Sequence, residues 1–401
     1  MAPFPSLASL LSARTTSAGT EPLPALDGLR GLAVLAVFLQ HLLDGYRPSL
    51  GQFCSRLPSP LGLLVEATVS HAHVGVDLFF VLSGFTLSLP WLARAASNQP
   101  VQPAATFFRR RAARLVPAYA LAVFAAALVF RERIVALAPG DAAAALATHA
   151  LMLQGYLSPG GLVLIGASWS LTTEVSFYLL FPWLAPRVLS PGTRAIPWAI
   201  ALFFFAWLSR AALHELALEK TATWPGLLEL SQRRFISSRL DQFVLGMTAA
   251  AFATRRPRLP RLHADGLAAA SLAGLLVAFR LDAQLYGHRG GGAPYALVSL
   301  SLAGLVFAAT GSGVVQRFAR WRWLTGLGVV SYGVFLFHQL ALEAVRRAAA
   351  ALPMPAAPWL HGALVGIAAL ALAIAAGTAS YVFIERPALL RWGRSARLSG
   401  P

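Results

Sequence analysis

Residues 26–46 read LDGLRGLAVLAVFLQHLLDGY. The stretch is long enough to cross a bilayer as a helix, which takes roughly 20 apolar residues. It nevertheless carries Arg30 near its start and His41 near its end. On a helix their spacing is within about 20° of three full turns, so both lie on one face, roughly 16 Å apart along the axis. This places Arg30 at a membrane edge and His41 about half a bilayer deeper. Gln40 lies about 100° around from His41, and Asp27 is expected to cap the N-terminus. A charged group at mid-membrane costs on the order of 3 kcal/mol, so each polar residue inside a span is a functional-site candidate. Two readings of His41 stand at this point: a base suited to proton transfer, or a structural histidine bonded to a neighbouring helix. For Arg30 the competing reading is snorkelling to headgroups.

The rest of the chain agrees with a lipid solvent. Of 401 residues, 57% are hydrophobic and 12% are charged, against about 25% charged in a soluble protein. The mean hydropathy is +0.63. This excludes an ordinary soluble enzyme, a disordered chain and a disulfide scaffold, since Cys54 is the single cysteine. The net charge of +17 reads as topology rather than nucleic-acid binding. Nearly every basic residue is Arg, and the arginines concentrate in loops such as FFRRRAAR (107–114) and RRPRLPR (255–261), as the positive-inside rule predicts. The Ala and Arg richness fits a bacterial source.

Apolar runs place about ten transmembrane helices, near 29–46, 73–93, 114–131, 169–187, 195–213, 236–254, 264–280, 294–311, 324–345 and 361–384. The run near 142–157 is short, contains His149 and Gln154, and is expected to be an interfacial or re-entrant helix. The fold class is therefore all-α, polytopic, with both termini cytoplasmic in a bacterial inner membrane. Residues 1–24 are expected to form a disordered cytoplasmic arm, residues 25–387 the membrane domain, and residues 388–401 a basic tail.

The remaining polar residues inside spans are few. HVGVDLFFVLSGFTLSLPW (73–91) holds Asp77, functional or merely interfacial, and the pair Ser83 and Gly84, which permits close helix packing. Arg111 and Arg114 lie three apart on one helical face, a fork that suits phosphate or plain anchoring. SWSLTTEVSFYLLFPW (168–183) puts Glu174 inside a span, where it needs a partner such as His41 or an arginine. Arg239 and Asp241 do not share a face, so they should pair with other helices. His338 in SYGVFLFHQ (331–339) and Glu385 in FIERP (383–387) read first as structural. SHAH (70–73) offers two histidines and no third ligand nearby, too few for a metal site.

Taken in order, LDGLRGLAVLAVFLQH, GVDLFFVLSGF, the Arg111/Arg114 pair with PAY behind it, WSLTTEVSFYLLFP, RLDQFVLGM, SYGVFLFH and FIERP resemble acyltransferase family 3, over about residues 25–390. The resemblance implies ten helices and acyl transfer from acyl-CoA to a hydroxyl, often on a carbohydrate. Some members carry an appended hydrolase-like domain, and this chain is expected to act with its membrane domain alone or to pass the acyl group on. Members often have a second acid after the glutamate, where this chain has Val175. The expected site has His41 as general base, oriented by Glu174 or Asp77, with Arg30, Arg111 and Arg114 on the CoA phosphates. Acetyl-CoA is the first expectation for the donor, with no metal. A transient acyl-His41 is the covalent alternative. The expected acceptor is a carbohydrate or glycolipid of the cell envelope, with a macrolide sugar second. The rival classes are a proton-coupled transporter and a non-catalytic membrane subunit.

Overall fold

The structure, a computed structural model, describes residues 23–45, 54, 57–157, 162–219, 234–255, 258–286, 294–352 and 358–394. Residues 1–22 of the expected arm and 395–401 of the expected tail lie outside the described residues. Among the described residues there is no strand, and the chain is an all-helical, multi-pass membrane protein.

The helices run in chain order. α1 is Pro24–Leu43, α2 Ser59–Ser70, α3 Val74–Ala96 and α4 Ala104–Val129. The short α5 (Arg131–Val135) and α6 (Pro139–Ala150) precede α7 (Trp169–Val188) and α8 (Ala195–Glu219). Next come α9 (Leu240–Arg255), α10 (Arg261–Tyr286), α11 (Pro294–Ala308) and α12 (Val314–Ala319). α13 (Arg322–Val329) and α14 (Ser331–Ala349) are followed by α15 (Pro358–Ser380). A π-helical turn, Tyr381–Glu385, joins α15 to α16 (Arg386–Arg394).

Each predicted apolar run falls on a helix. Among the described residues, six helices are long and apolar enough to cross a membrane alone, and α13 with α14, bent by 79°, make a seventh if taken as one span. The expected count of about ten is not reached by that measure. α9 has 16 residues and α11 has 15, shorter than the roughly 20 a lipid-facing span needs. α7 has 20, but Ser170, Thr172, Thr173, Glu174 and Ser176 make its first half polar. The short helices are central: Leu240 to Val244 of α9 are all buried, so protein rather than lipid satisfies their ends. Large apolar side chains cover the outside, and Phe124 (62%), Ile367 (69%) and Phe383 (74%) are among the most exposed.

Helix packing relies on glycine where backbones meet. A Cβ on Gly84 of α3 would overlap the carbonyl oxygen of Phe243, and one on Gly246 of α9 would overlap that of Val81. This is the small-residue contact that lets membrane helices approach closely, and it makes α3–α9 the centre of the bundle.

Two helix starts differ from expectation. α1 begins at Pro24, a residue preorganised for the first turn of a helix, with Leu23 at the cap and no side-chain cap bond. Asp27 therefore lies inside the first turn and pairs with Arg30 instead of capping. His41 falls in the last turn of α1. α4 begins at Ala104, so Arg111 and Arg114 are two to three turns inside a helix.

Candidate active site

The polar residues form two neighbouring sites. The first is a cavity of about 1010 Å³, lined among others by Arg30, Arg94, Arg110, Arg111, Arg114 and Glu174. Arg30 on α1 donates to Asp27 Oδ1 at 3.0 Å and to Thr86 Oγ1 of α3 at 3.1 Å. The Arg111 guanidinium lies 6.0 Å from the ring centres of both Phe107 and Tyr178. Glu174 on α7 accepts from Ser83 Oγ at 2.7 Å and from the hydroxyl of Tyr178. The cavity thus joins a cluster of guanidinium groups to two carboxylates, Asp27 paired with Arg30 and Glu174 shared by two hydroxyl donors. Such a surface binds polyanions.

Aromatic rings close the inner wall. Phe79, Phe80 and Phe335 line the cavity, and Phe79 meets Phe335 edge to face with centroids 6.1 Å apart.

The second site lies beyond that wall. His41 is not among the cavity-lining residues. Its ring centre is 5.1 Å from that of His338. Its Nδ1 is 3.2 Å from Gln339 Nε2 and 3.4 Å from Asp44 Oδ2. The side chain is 27% exposed, so protein does not fully enclose it. Phe38, Leu342 and Ala369 form a small apolar core beside it. Gln339 is itself held, because its Oε1 accepts the N–H of Ala167 at 3.1 Å, in the 3-10 turn Gly166–Ser168 that leads into α7.

Neither expected carboxylate partners the imidazole. Glu174 faces the cavity and is taken by Ser83 and Tyr178. Asp77 lies in a separate buried network. It accepts from Arg239 at 2.6 Å, from Gln242 at 2.8 Å and from the Tyr295 hydroxyl at 3.2 Å. Asp241 pairs with Arg210 of α8 at 2.8 Å and accepts from Ser299 at 2.7 Å. Arg239 and Asp241 thus find partners on other helices, as their spacing predicts. His71 of the SHAH stretch pairs with Asp282 at 3.1 Å, and Glu385 accepts from Ser380 Oγ at 3.0 Å.

The 142–157 stretch folds as the twelve-residue α6 followed by turns. His149 Nδ1 bonds to Ala145 O at 2.8 Å, and its Nε2 accepts the Leu164 N–H at 3.1 Å. Burial holds its pKa below the usual histidine value. Gln154 donates to Ser168 O at 2.8 Å, which fixes the segment under the 3-10 turn.

Sequence reading missed Asp44, Gln339, Ser83 and Tyr178. Asp44 carried a signal, since it stands three residues after His41 on the same helical face. Gln339 follows His338 directly, but nothing in its spacing pointed across the bundle to His41.

The model of the acyltransferase domain family matches residues 23–378. The chain is 28% identical to acyltransferase MdmB of Streptomyces mycarofaciens, over 93% of both chains. It is 28% identical to exopolysaccharide production protein ExoZ of Rhizobium meliloti, over 83% of this chain and 95% of that one. It is 27% identical to peptidoglycan O-acetyltransferase OatA of Listeria monocytogenes, over 81% of this chain but only 50% of OatA. No solved structure matches. Family membership makes the chain an enzyme rather than a carrier or a scaffold. The protein belongs to acyltransferase family 3, and it is an integral-membrane acyltransferase.

Proposed function

We propose that this enzyme transfers an acyl group, acetyl first, from acyl-CoA to a hydroxyl of a cell-envelope carbohydrate or glycolipid. The observation that carries the reading is the succession of an arginine-lined cavity, an aromatic wall and His41. The phosphates of the donor substrate fit Arg111 and Arg114, whose planar guanidinium groups bind phosphate bidentately, with Arg30 deeper. Glu174 balances their charge and fixes Tyr178 and Ser83. The thioester end of the donor then points towards the Phe79–Phe335 wall. The acceptor meets His41 at its exposed edge. His41 takes the proton of the acceptor hydroxyl as the oxygen attacks the thioester carbonyl. The C–S bond breaks, and the departing thiolate takes the proton back from His41. The oxygen ester and free CoA are the products.

The names of ExoZ and OatA, an exopolysaccharide production protein and a peptidoglycan O-acetyltransferase, support a glycan acceptor over a small secreted molecule. On this reading the chain makes ten crossings of a bacterial inner membrane, with both termini cytoplasmic. α9, α11 and α7 supply the three crossings that fall short of the length-and-composition measure, and α6 lies at the interface. Residues 25–387 form the catalytic domain between the arm (1–24) and the tail (388–401). The arginine-lined cavity then opens to the cytoplasm, where acyl-CoA is made, and His41 faces the envelope.

The test is acceptor-dependent release of free CoA from acetyl-CoA in inverted vesicles that retain envelope glycans. Wild type should release CoA, and His41→Ala, present at equal level, should not. Equal release from both removes His41 as the base.

A further inference from the structure

The His41 ring has two partners that ask opposite things of one nitrogen. Gln339 Nε2 lies 3.2 Å from His41 Nδ1. The amide of Gln339 is not free to flip, because its Oε1 accepts the Ala167 N–H at 3.1 Å, and a backbone N–H can only donate. The NH2 of Gln339 therefore faces the ring, and Nδ1 must accept from it. A neutral imidazole has one N–H, so this contact selects the form with the proton on Nε2. Asp44 Oδ2 lies 3.4 Å from the same Nδ1, and a carboxylate can only accept. At this ion-pair distance its charge favours the form with the proton on Nδ1, which leaves Nε2 bare. Asp44 is steadied in turn by Gln40, which donates to Oδ1 at 2.9 Å.

From this geometry we infer that Asp44 and Gln339 are opposed positioning residues for His41. Asp44 favours the tautomer whose Nε2 acts as base and steadies the imidazolium that forms. Gln339 favours the resting tautomer, in which Nε2 is blocked by its own proton. The inference rests on the reading of His41 as the base. It replaces Glu174 and Asp77 in the orienting role, since both are held elsewhere. Among the described residues, the titratable and charged groups around the ring are Asp44, just past the end of α1, and His338 and Arg346 on α14. His338 Nδ1 lies 2.6 Å from the Phe335 carbonyl, so that nitrogen carries the proton and serves α14. Arg346 donates to the carbonyls of His41 and Leu42 at 3.2 Å each, so it holds the end of α1 and leaves the ring nitrogens to Asp44 and Gln339.

The pH profile of CoA release in full-length Asp44→Asn and Gln339→Glu proteins tests this, with acetyl-CoA as donor and envelope-glycan vesicles as acceptor. Losing the carboxylate destabilises the imidazolium, so Asp44→Asn should move the acid limb to lower pH. It should also cut kcat by at least about tenfold, with KM for acetyl-CoA unchanged. Gln339→Glu adds a carboxylate at Nδ1 and should move the limb the other way. Nitrogen-15 spectra of the labelled histidines, assigned by difference from His41→Ala, should show the proton on Nε2 in Asp44→Asn and on Nδ1 in Gln339→Glu. Asp44→Glu should restore most of the rate. If Asp44→Asn does not reach the membrane, the direction of the Gln339→Glu limb and its spectrum decide the matter. Limbs and spectra that match wild type in both variants overturn the inference. Activity that survives His41→Ala overturns instead the reading it rests on, so the two failures are told apart.

Discussion

Phe335 and Gln339 stand one turn apart on α14, and the first lines the arginine-rich cavity while the second touches His41. About 6 Å of helix axis separates them. On the proposed mechanism, a donor whose thioester reaches the Phe79–Phe335 contact is two ring contacts from His41: the Phe335 ring centre lies 5.8 Å from that of His338, which lies 5.1 Å from that of His41. The size of those rings should set which acyl chains fit. Phe335→Ala should raise kcat/KM for butanoyl-CoA relative to acetyl-CoA by about tenfold or more, the discrimination one or two methylenes give in an apolar pocket. Release of CoA across a series of acyl-CoA chain lengths checks this, and an unchanged preference would show that the wall does not touch the acyl group.

Arg111 and Arg114 offer planar forks, and lysine offers a point charge. Arg111→Lys and Arg114→Lys should each raise KM for the donor by roughly five- to tenfold, with a smaller effect on kcat, because phosphate binding is shared by ground and transition states. A fall in kcat at constant KM would instead put the guanidinium at the reacting atoms.

The Asp77–Arg239 pair is buried on both sides, with side chains 2% exposed. Tyr295 donates to Asp77, and its ring centre lies 4.9 Å from the Arg239 guanidinium. Arg239→Met leaves a buried carboxylate without its counter-charge and should cost about 3–5 kcal/mol, whereas the double variant Asp77→Leu/Arg239→Met should recover most of that loss. Thermal unfolding in detergent reads both. Additive losses would show that the two residues do not act as a pair.

His149 links protonation to stability. Burial depresses its pKa in the folded state, so the unfolded chain binds the proton more readily. Stability should therefore be full above the unfolded histidine value of about 6.5. It should fall as pH drops through that value and level off once the folded form also protonates. His149→Gln should flatten this slope. Unfolding midpoints measured from pH 8 to pH 5 test it, and a slope equal in both proteins would assign the dependence to other groups.

Much of the fold is legible because lipid imposes a simple rule on length and polarity. Each apolar run lies on helix, the 324–345 run on two, α13 and α14, and the shared face of Arg30 and His41 survives in α1. What the rule cannot reach is the interior of the bundle. α9 and α11 are shorter than a span because helices, not lipid, surround them. The partner of Glu174 was open in the sequence because α3 could present any of several hydroxyls to α7, and packing chose Ser83. α1 runs from Pro24 to Leu43 where the apolar run reached residue 46, so His41 falls in its last turn. Asp44 stood in the same line of sequence, on the same face as His41, near the end of the apolar run.

The edge-to-face contact of Phe79 and Phe335 has an electrical consequence. A polar vestibule that enters a bilayer from one side thins the insulating layer to whatever remains at its blind end. In the proposed orientation that remainder is a pair of aromatic rings and one helical turn, with His41 behind them. On the proposed mechanism, the same rings that bring donor and base close together must also hold the membrane potential. An acyltransferase built this way works under a constraint familiar from channels: any opening wide enough for the acyl group has to shut before ions follow it.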